Sequence, residues 1–109
     1  MKNPHKPIFD IATVKRLTKK DSKNPIERKV IKINEELGEF NQAILGYIQA
    51  SNASGSVSRL EGDEKRALVL EEGCDVLNST LNVLFSEGFS DDEIRNMFNK
   101  KLTKWESKL

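Results

Sequence analysis

The sequence predicts an all-α fold, a four-helix-type bundle, on three observations. Apolar residues recur at spacings of three and four along most of the chain. Helix-capping signatures punctuate it around Asn24-Pro25 and at Ser90. No strand-like alternation of apolar and polar residues appears, and no proline interrupts the helical segments.

The first helical segment, from about Ile8 to Lys20, is the weakest, with Phe9, Ile11, Val14 and Leu17 as its apolar positions. Asp21-Ser22-Lys23-Asn24 reads as a turn, so residues 1–24 form a helix and turn ahead of the main bundle. Asn24 suits an N-cap, Pro25 the first helical position, and Glu27 the third position of a capping box. The helix that follows, Pro25 to about Ala50, carries Ile26, Val30, Ile33, Leu37, Phe40, Ile44 and Tyr47 as one apolar stripe.

Ser51 to Gly62 is rich in Ser, Asn and Gly and reads as a flexible connection, not a domain boundary. The third helix, about Asp63 to Ser86, is apolar over most of its circumference, which places it centrally, and Gly88 is its expected C-cap. Ser90 and Glu93 form a second capping box, with Asp91 and Asp92 favoured by the helix dipole. The last helix sets Ile94, Met97, Phe98, Lys101, Leu102 and Trp105 on one face.

At 109 residues the chain makes a single domain, residues 1–109, with a modest core that association with further copies would complete. Eighteen Lys and Arg against 17 Asp and Glu give a net charge of +1, which supplies no general attraction to nucleic acid or an anionic membrane. Cys74 is the sole cysteine, so neither an intrachain disulfide nor a zinc knuckle is available. The N-terminus lacks the apolar run of a signal peptide, and no stretch is long and apolar enough to span a bilayer. A cytoplasmic protein is the expectation.

Two carboxylate clusters interrupt the helical pattern. Glu35-Glu36-Leu37-Gly38-Glu39 lies in the second helix, where Glu36 and Glu39 share a side that borders the apolar stripe. Like charges one turn apart repel. Glu71-Glu72-Gly73-Cys74-Asp75 repeats the spacing in the third helix, and Glu71, Glu72, Asp75, Asn78, Ser79 and Asn82 share one polar arc. Buried carboxylates need cations or protons. Antiparallel packing of the two helices would set Glu36 and Glu39 opposite Glu72 and Asp75. Such an all-oxygen site suits Mg²⁺, with Mn²⁺ as substitute, and Mg²⁺ bridges carboxylates to substrate phosphates.

Glu35-Glu36-x-x-Glu39 followed by Glu72-x-x-Asp75 resembles the EExxE…ExxD signature of the MazG-like all-α nucleoside triphosphate pyrophosphohydrolases. The likeness covers roughly Ile26 to Trp105. It implies that Glu36, Glu39, Glu72 and Asp75 bind Mg²⁺, while Glu35 and Glu71 hold a further metal or orient the attacking water. It implies cleavage between the α- and β-phosphates of a nucleoside triphosphate, a deoxynucleotide by preference, and a homodimer or homotetramer. Lys32, one turn before the first cluster, Asn78, one turn after Asp75, and Lys101 and Lys104 in the last helix are candidate substrate contacts. The long Ser/Gly/Asn-rich connection departs from the pattern, as does Asn78-Ser79 where many relatives carry an aromatic.

Each feature also has a plainer reading. Lys32 can pair with Glu35, Glu36 or Glu39 at helical spacing. Asn78 and Asn82 can satisfy one another. Lys100, Lys101 and Lys104 can be ordinary charges at a helix C-terminus. Trp105, Tyr47 and Cys74 suit packing, and His5 has no role. Residues 51–62 are expected to be either a mobile segment closing over the nucleotide or a spacer. Two other functional classes fit: a non-enzymatic helical interaction module, and a phosphoribosyl-ATP pyrophosphohydrolase of the same fold.

Overall fold

The computed structural model of the chain describes residues 10–52 and 59–109. They form four helices: α1 (Ile11–Lys20), α2 (Ile26–Asn52), α3 (Arg59–Ser86) and α4 (Asp91–Glu106). No strand occurs among the described residues, so the all-α expectation holds.

Asp10 sets the start of α1. Its carboxylate accepts from the Thr13 backbone N–H at 3.0 Å and from the Thr13 hydroxyl at 2.8 Å, which satisfies an otherwise orphaned donor. The expected apolar positions Ile8 and Phe9, and His5, lie outside the described residues. At α2 the Pro25 carbonyl accepts from the N–H groups of Arg28 and Lys29, so the helix begins one residue later than expected.

The expected connection at 51–62 is shorter than its composition suggests. Ser51 and Asn52 belong to α2 and Arg59 to Gly62 to α3, leaving 53–58 outside the described residues. Helix α2 propagates past its last apolar residue, Ala50, because each added residue gains a backbone hydrogen bond without a new nucleation step.

The end of α3 matches the sequence reading. Gly88 has φ +85, and the N–H groups of Gly88 and Phe89 donate to the carbonyls of Phe85 and Leu84, the paired bonds of a Schellman motif. Ser90 then caps α4 with the reciprocal Ser90–Glu93 bonds of a capping box.

The helices α2 and α3 pack along each other as an antiparallel hairpin, and α1 lies on α3. Lys29 meets Ser86 near one end, whereas Phe40 meets Gly73 further along. A Cβ on Gly73 would stand 3.2 Å from the Phe40 ring, so glycine lets the two helices approach there. Thus α3 is the helix on which both α1 and α2 pack, but its apolar circumference is not enclosed as expected: none of its described side chains is buried, and Leu68, Leu70 and Leu77 are exposed because only two helices cover it.

The inward line of α2 differs from the predicted stripe. Val30 and Leu37 are exposed, while Lys29, Glu36 and Ala43, at steps of seven, are the buried residues. The helix is rotated so that a polar line sits at the centre of the contact, flanked by half-buried Ile33, Phe40, Ile44 and Tyr47.

Helix α4 packs along no other helix and buries none of its residues. Its base is tied down by the Lys15–Asp91 ion pair at 2.9 Å. Within one chain the four-helix-type bundle therefore closes over α1, α2 and α3 alone.

Candidate metal centre

A polar seam runs between the helices of the hairpin. Glu72, Asp75, Ser79, Asn82 and Ser86, spaced three and four apart, are all half-buried along α3. They span about 21 Å of helix. Against them α2 sets Lys29 and Glu36, each 4 % exposed.

One end of the seam is balanced. Lys29 donates to the Ser86 hydroxyl at 2.7 Å and lies 3.9 Å from the Asp21 carboxylate. Asp21 also accepts from the side-chain amides of Asn24 and Asn82, at 3.3 and 3.2 Å. Those two amide bonds, then the Lys29 charge, hold its carboxyl below the usual carboxylate range. Here a buried cation has hydrogen-bonding and charged partners, as burial demands.

The other end is not balanced. Carboxylate oxygens of Glu36, Glu39 and Glu72 all lie within 4.8 Å of one another. Lys32 stands 2.8 Å from Glu36 Oε1, an ion pair one turn apart on α2, and that bond holds the Lys32 proton more tightly than usual. The second oxygen of Glu36 and one oxygen of Glu72 are out of reach of solvent and have no hydrogen-bond partner among the described residues. Burial, a hydrogen bond shared with the Glu39 carboxyl, and the charges of Glu39, Asp75 and Glu36 push the Glu72 carboxyl above its ordinary value.

Three carboxylates with one adjacent lysine make a site short of positive charge. Orphaned, solvent-excluded carboxylate oxygens are costly unless a cation or proton joins them. The donor set is all oxygen, which fits Mg²⁺ or Mn²⁺ and disfavours zinc. Cys74 is exposed and lies outside this set.

Beside the centre lies an open groove of about 1230 Å³, between α1, the first half of α2 and the second half of α3. Arg28, Lys32 and Glu35 line it from α2, and Cys74, Asn78 and Asn82 from α3.

The residues predicted for this chemistry are only partly gathered. Glu36, Glu39 and Glu72 converge; Asp75 is half-buried and close enough to act on Glu72, but it is not among the three. Glu35 and Glu71 are exposed, Glu35 on the groove side. Asn78 is exposed in the groove wall, and Lys32 is ion-paired with Glu36. Lys101 and Lys104 are exposed on α4, away from the hairpin. Asn82 bonds to Asp21, not to Asn78.

Lys29, Asp21 and Ser86 were not anticipated. The available signal was the spacing of Lys29, seven residues before Glu36 and fourteen before Ala43 on the same side of α2.

Comparison with known proteins gives no match to this chain among protein families, curated proteins or solved structures.

Proposed function

We propose that the chain is a Mg²⁺-dependent nucleoside triphosphate pyrophosphohydrolase of the MazG-like kind, acting as a homodimer or homotetramer on deoxynucleotides by preference. The observation that carries this reading is the pair of orphaned, solvent-excluded oxygens on Glu36 and Glu72, with Glu39 beside them. Two carboxylate oxygens kept dry and unpaired on facing helices suit a divalent cation better than a solvated acidic surface does.

In this reading Glu36, Glu39 and Glu72 hold the metal, with Asp75 as the adjoining fourth acid. A bound divalent cation supplies Lewis-acid stabilisation of the phosphates and lowers the pKa of water. Glu35 and Glu71, both exposed beside the clustered acids, remain to orient the attacking water and take its proton. The water oxygen bonds to the α-phosphorus, the bond from that phosphorus to the bridging oxygen breaks, and pyrophosphate leaves with the electron pair. The groove beside Glu35 offers aliphatic walls for the nucleoside, with Arg28, Lys32 and Asn78 as polar groups at its edge.

Pyrophosphate release measured across all NTPs and dNTPs with Mg²⁺ tests the proposal. Turnover of at least one nucleotide, abolished by chelation, is expected. Absence of turnover together with no metal-dependent rise in melting temperature rejects it. The exposed apolar side chains of α4 favour a second reading, a helical interaction module whose acids meet a basic protein. Thermal stabilisation by Mg²⁺ or Mn²⁺ separates the two, because the module has no need of metal.

A further inference from the structure

One end of the groove beside the carboxylate centre carries a hydrogen-bonding preference of its own. Asp21, Asn24 and Asn82 line the groove together, where α1 gives way to α2. Lys29 lies seven residues before Glu36 and Asn82 ten after Glu72, and both reach Asp21. Along the helices this sets the Asp21 carboxylate about 10–15 Å from the carboxylate centre. One nucleoside spans such a gap when its α-phosphate is held at the centre and its base points down the groove.

Asp21 offers a fixed acceptor there. Its Oδ2 accepts from the side-chain amides of Asn24 and Asn82, and the Lys29 ammonium stands 3.9 Å away. Its Oδ1 accepts no hydrogen bond among the described residues, and the side chain is 44 % exposed. The amide bonds, then the Lys29 charge, hold the carboxyl below the usual carboxylate range, so near neutral pH it is ionised and can only accept. Among the described residues Lys29 is the one cation acting on it, and burial closes that ammonium to a ligand. Asn82 Oδ1 is a second acceptor with no donor among the described residues. This end of the groove is short of hydrogen-bond donors.

The remaining walls do not choose between bases. Val14, Leu17, Leu77 and Leu81 give aliphatic contact, and no aromatic side chain among the described residues lines the groove to stack on a ring. Aliphatic contact discriminates weakly, whereas a fixed polar group rejects a ligand that leaves it unpaired.

We propose that Asp21 selects the base, taking cytosine or adenine, which carry an exocyclic amine, in preference to bases with a carbonyl oxygen at that position. The choice of a nucleotide as the ligand rests on the reading given under Proposed function. The amine donates to the open oxygen of Asp21, as the cytosine amino group does to carboxylates elsewhere. Uracil, thymine and hypoxanthine set an oxygen there instead, so two acceptors meet without a proton between them. Asn24 and Asn82 are positioning residues, since they hold the carboxylate without touching the base.

Two matched pairs of ligands test the selection: deoxycytidine against deoxyuridine, and deoxyadenosine against deoxyinosine. None carries a phosphate, so binding to the full chain, followed by NMR titration, needs neither metal nor turnover. The amine-bearing member of each pair should bind roughly tenfold or more tightly. Asp21→Asn keeps the shape but adds a donor, and should abolish or reverse the preference. Asn24→Ala keeps the charge while removing one of the amides that hold it, and should narrow the preference. Equal binding within both pairs, binding of neither member, or a preference untouched by both substitutions overturns the selection. The last result is what an Asp21 that serves Lys29 alone would give.

Turnover separates this inference from the reading beneath it. Equal kcat/KM for dCTP and dUTP removes the selection and leaves the pyrophosphohydrolase intact. Preferential binding of deoxycytidine, with no nucleotide hydrolysed, removes the pyrophosphohydrolase and upholds Asp21 as the base-selecting residue.

Discussion

Glu36 and Glu72 face each other from the two helices of the hairpin, and each holds one carboxylate oxygen that neither solvent nor any hydrogen-bond donor of the described residues reaches. Lys32 compensates only the other oxygen of Glu36. The arrangement opposes folding in the absence of a cation, and that opposition is measurable.

Glu36→Gln and Glu72→Gln should each raise the melting temperature of the metal-free protein, because each removes a like charge from a crowded, dry place. Both should abolish stabilisation by Mg²⁺ and lower nucleotide hydrolysis by roughly a hundredfold or more. Asp75→Asn should do the same less completely, since Asp75 adjoins the three converging acids without joining them. Melting curves with and without Mg²⁺ check all three. Full activity in both Glu72→Gln and Asp75→Asn would remove the site.

The pH dependence of the metal-free protein follows from Glu72. Its carboxyl titrates above the ordinary carboxylate value because of burial, the hydrogen bond with Glu39, and the charges of Glu39, Asp75 and Glu36. The folded state therefore binds the proton more tightly than the unfolded state. Its contribution is fully present below the unfolded value and is lost as pH rises through the raised one. Stability should fall across that window without metal, and Mn²⁺ affinity should rise across it. Denaturation at a series of pH values, repeated with Glu72→Gln, isolates the effect.

Asp21 has the opposite sign. Hydrogen bonds from Asn24 and Asn82, then the charge of Lys29, depress its titration, so its contribution is present above the unfolded value and lost as pH falls through the depressed one. Asp21→Asn should flatten the acid limb of the stability curve, a change visible by urea titration.

Lys29→Met keeps the aliphatic stem but removes the ammonium that serves Ser86 and Asp21. A cost of about 1–3 kcal/mol in urea denaturation is expected for stranding those acceptors. Mg²⁺-dependent stabilisation should survive, since Lys29 lies at the far end of the seam from the carboxylates. Loss of both together would mean that the two ends are coupled.

Gly88 sits at φ +85 at the end of α3, where its neighbours make the Schellman bonds. Gly88→Ala should cost about 1–2 kcal/mol through the left-handed backbone alone. Gly88→Asn should cost less, because asparagine tolerates that region. Equal stability of all three would contradict the observed turn.

The helices, the Gly88 and Ser90 boundaries, and the pairing of an acidic cluster on α2 with one on α3 were legible in the sequence. They depend on local periodicity and capping, which act over a few residues and leave their mark there. Tertiary packing decided the rest. It rotated α2 so that Lys29, Glu36 and Ala43 face inward in place of Val30 and Leu37, with Phe40 seated where Gly73 has no side chain. It joined Glu39 to Glu36 and Glu72 while leaving Asp75 at the margin. It also held α4 clear of its own hairpin. A helical pattern defines a broad sector of each helix. Which line within that sector becomes the centre depends on the ridge packed against it, and residues far apart in the chain set that ridge.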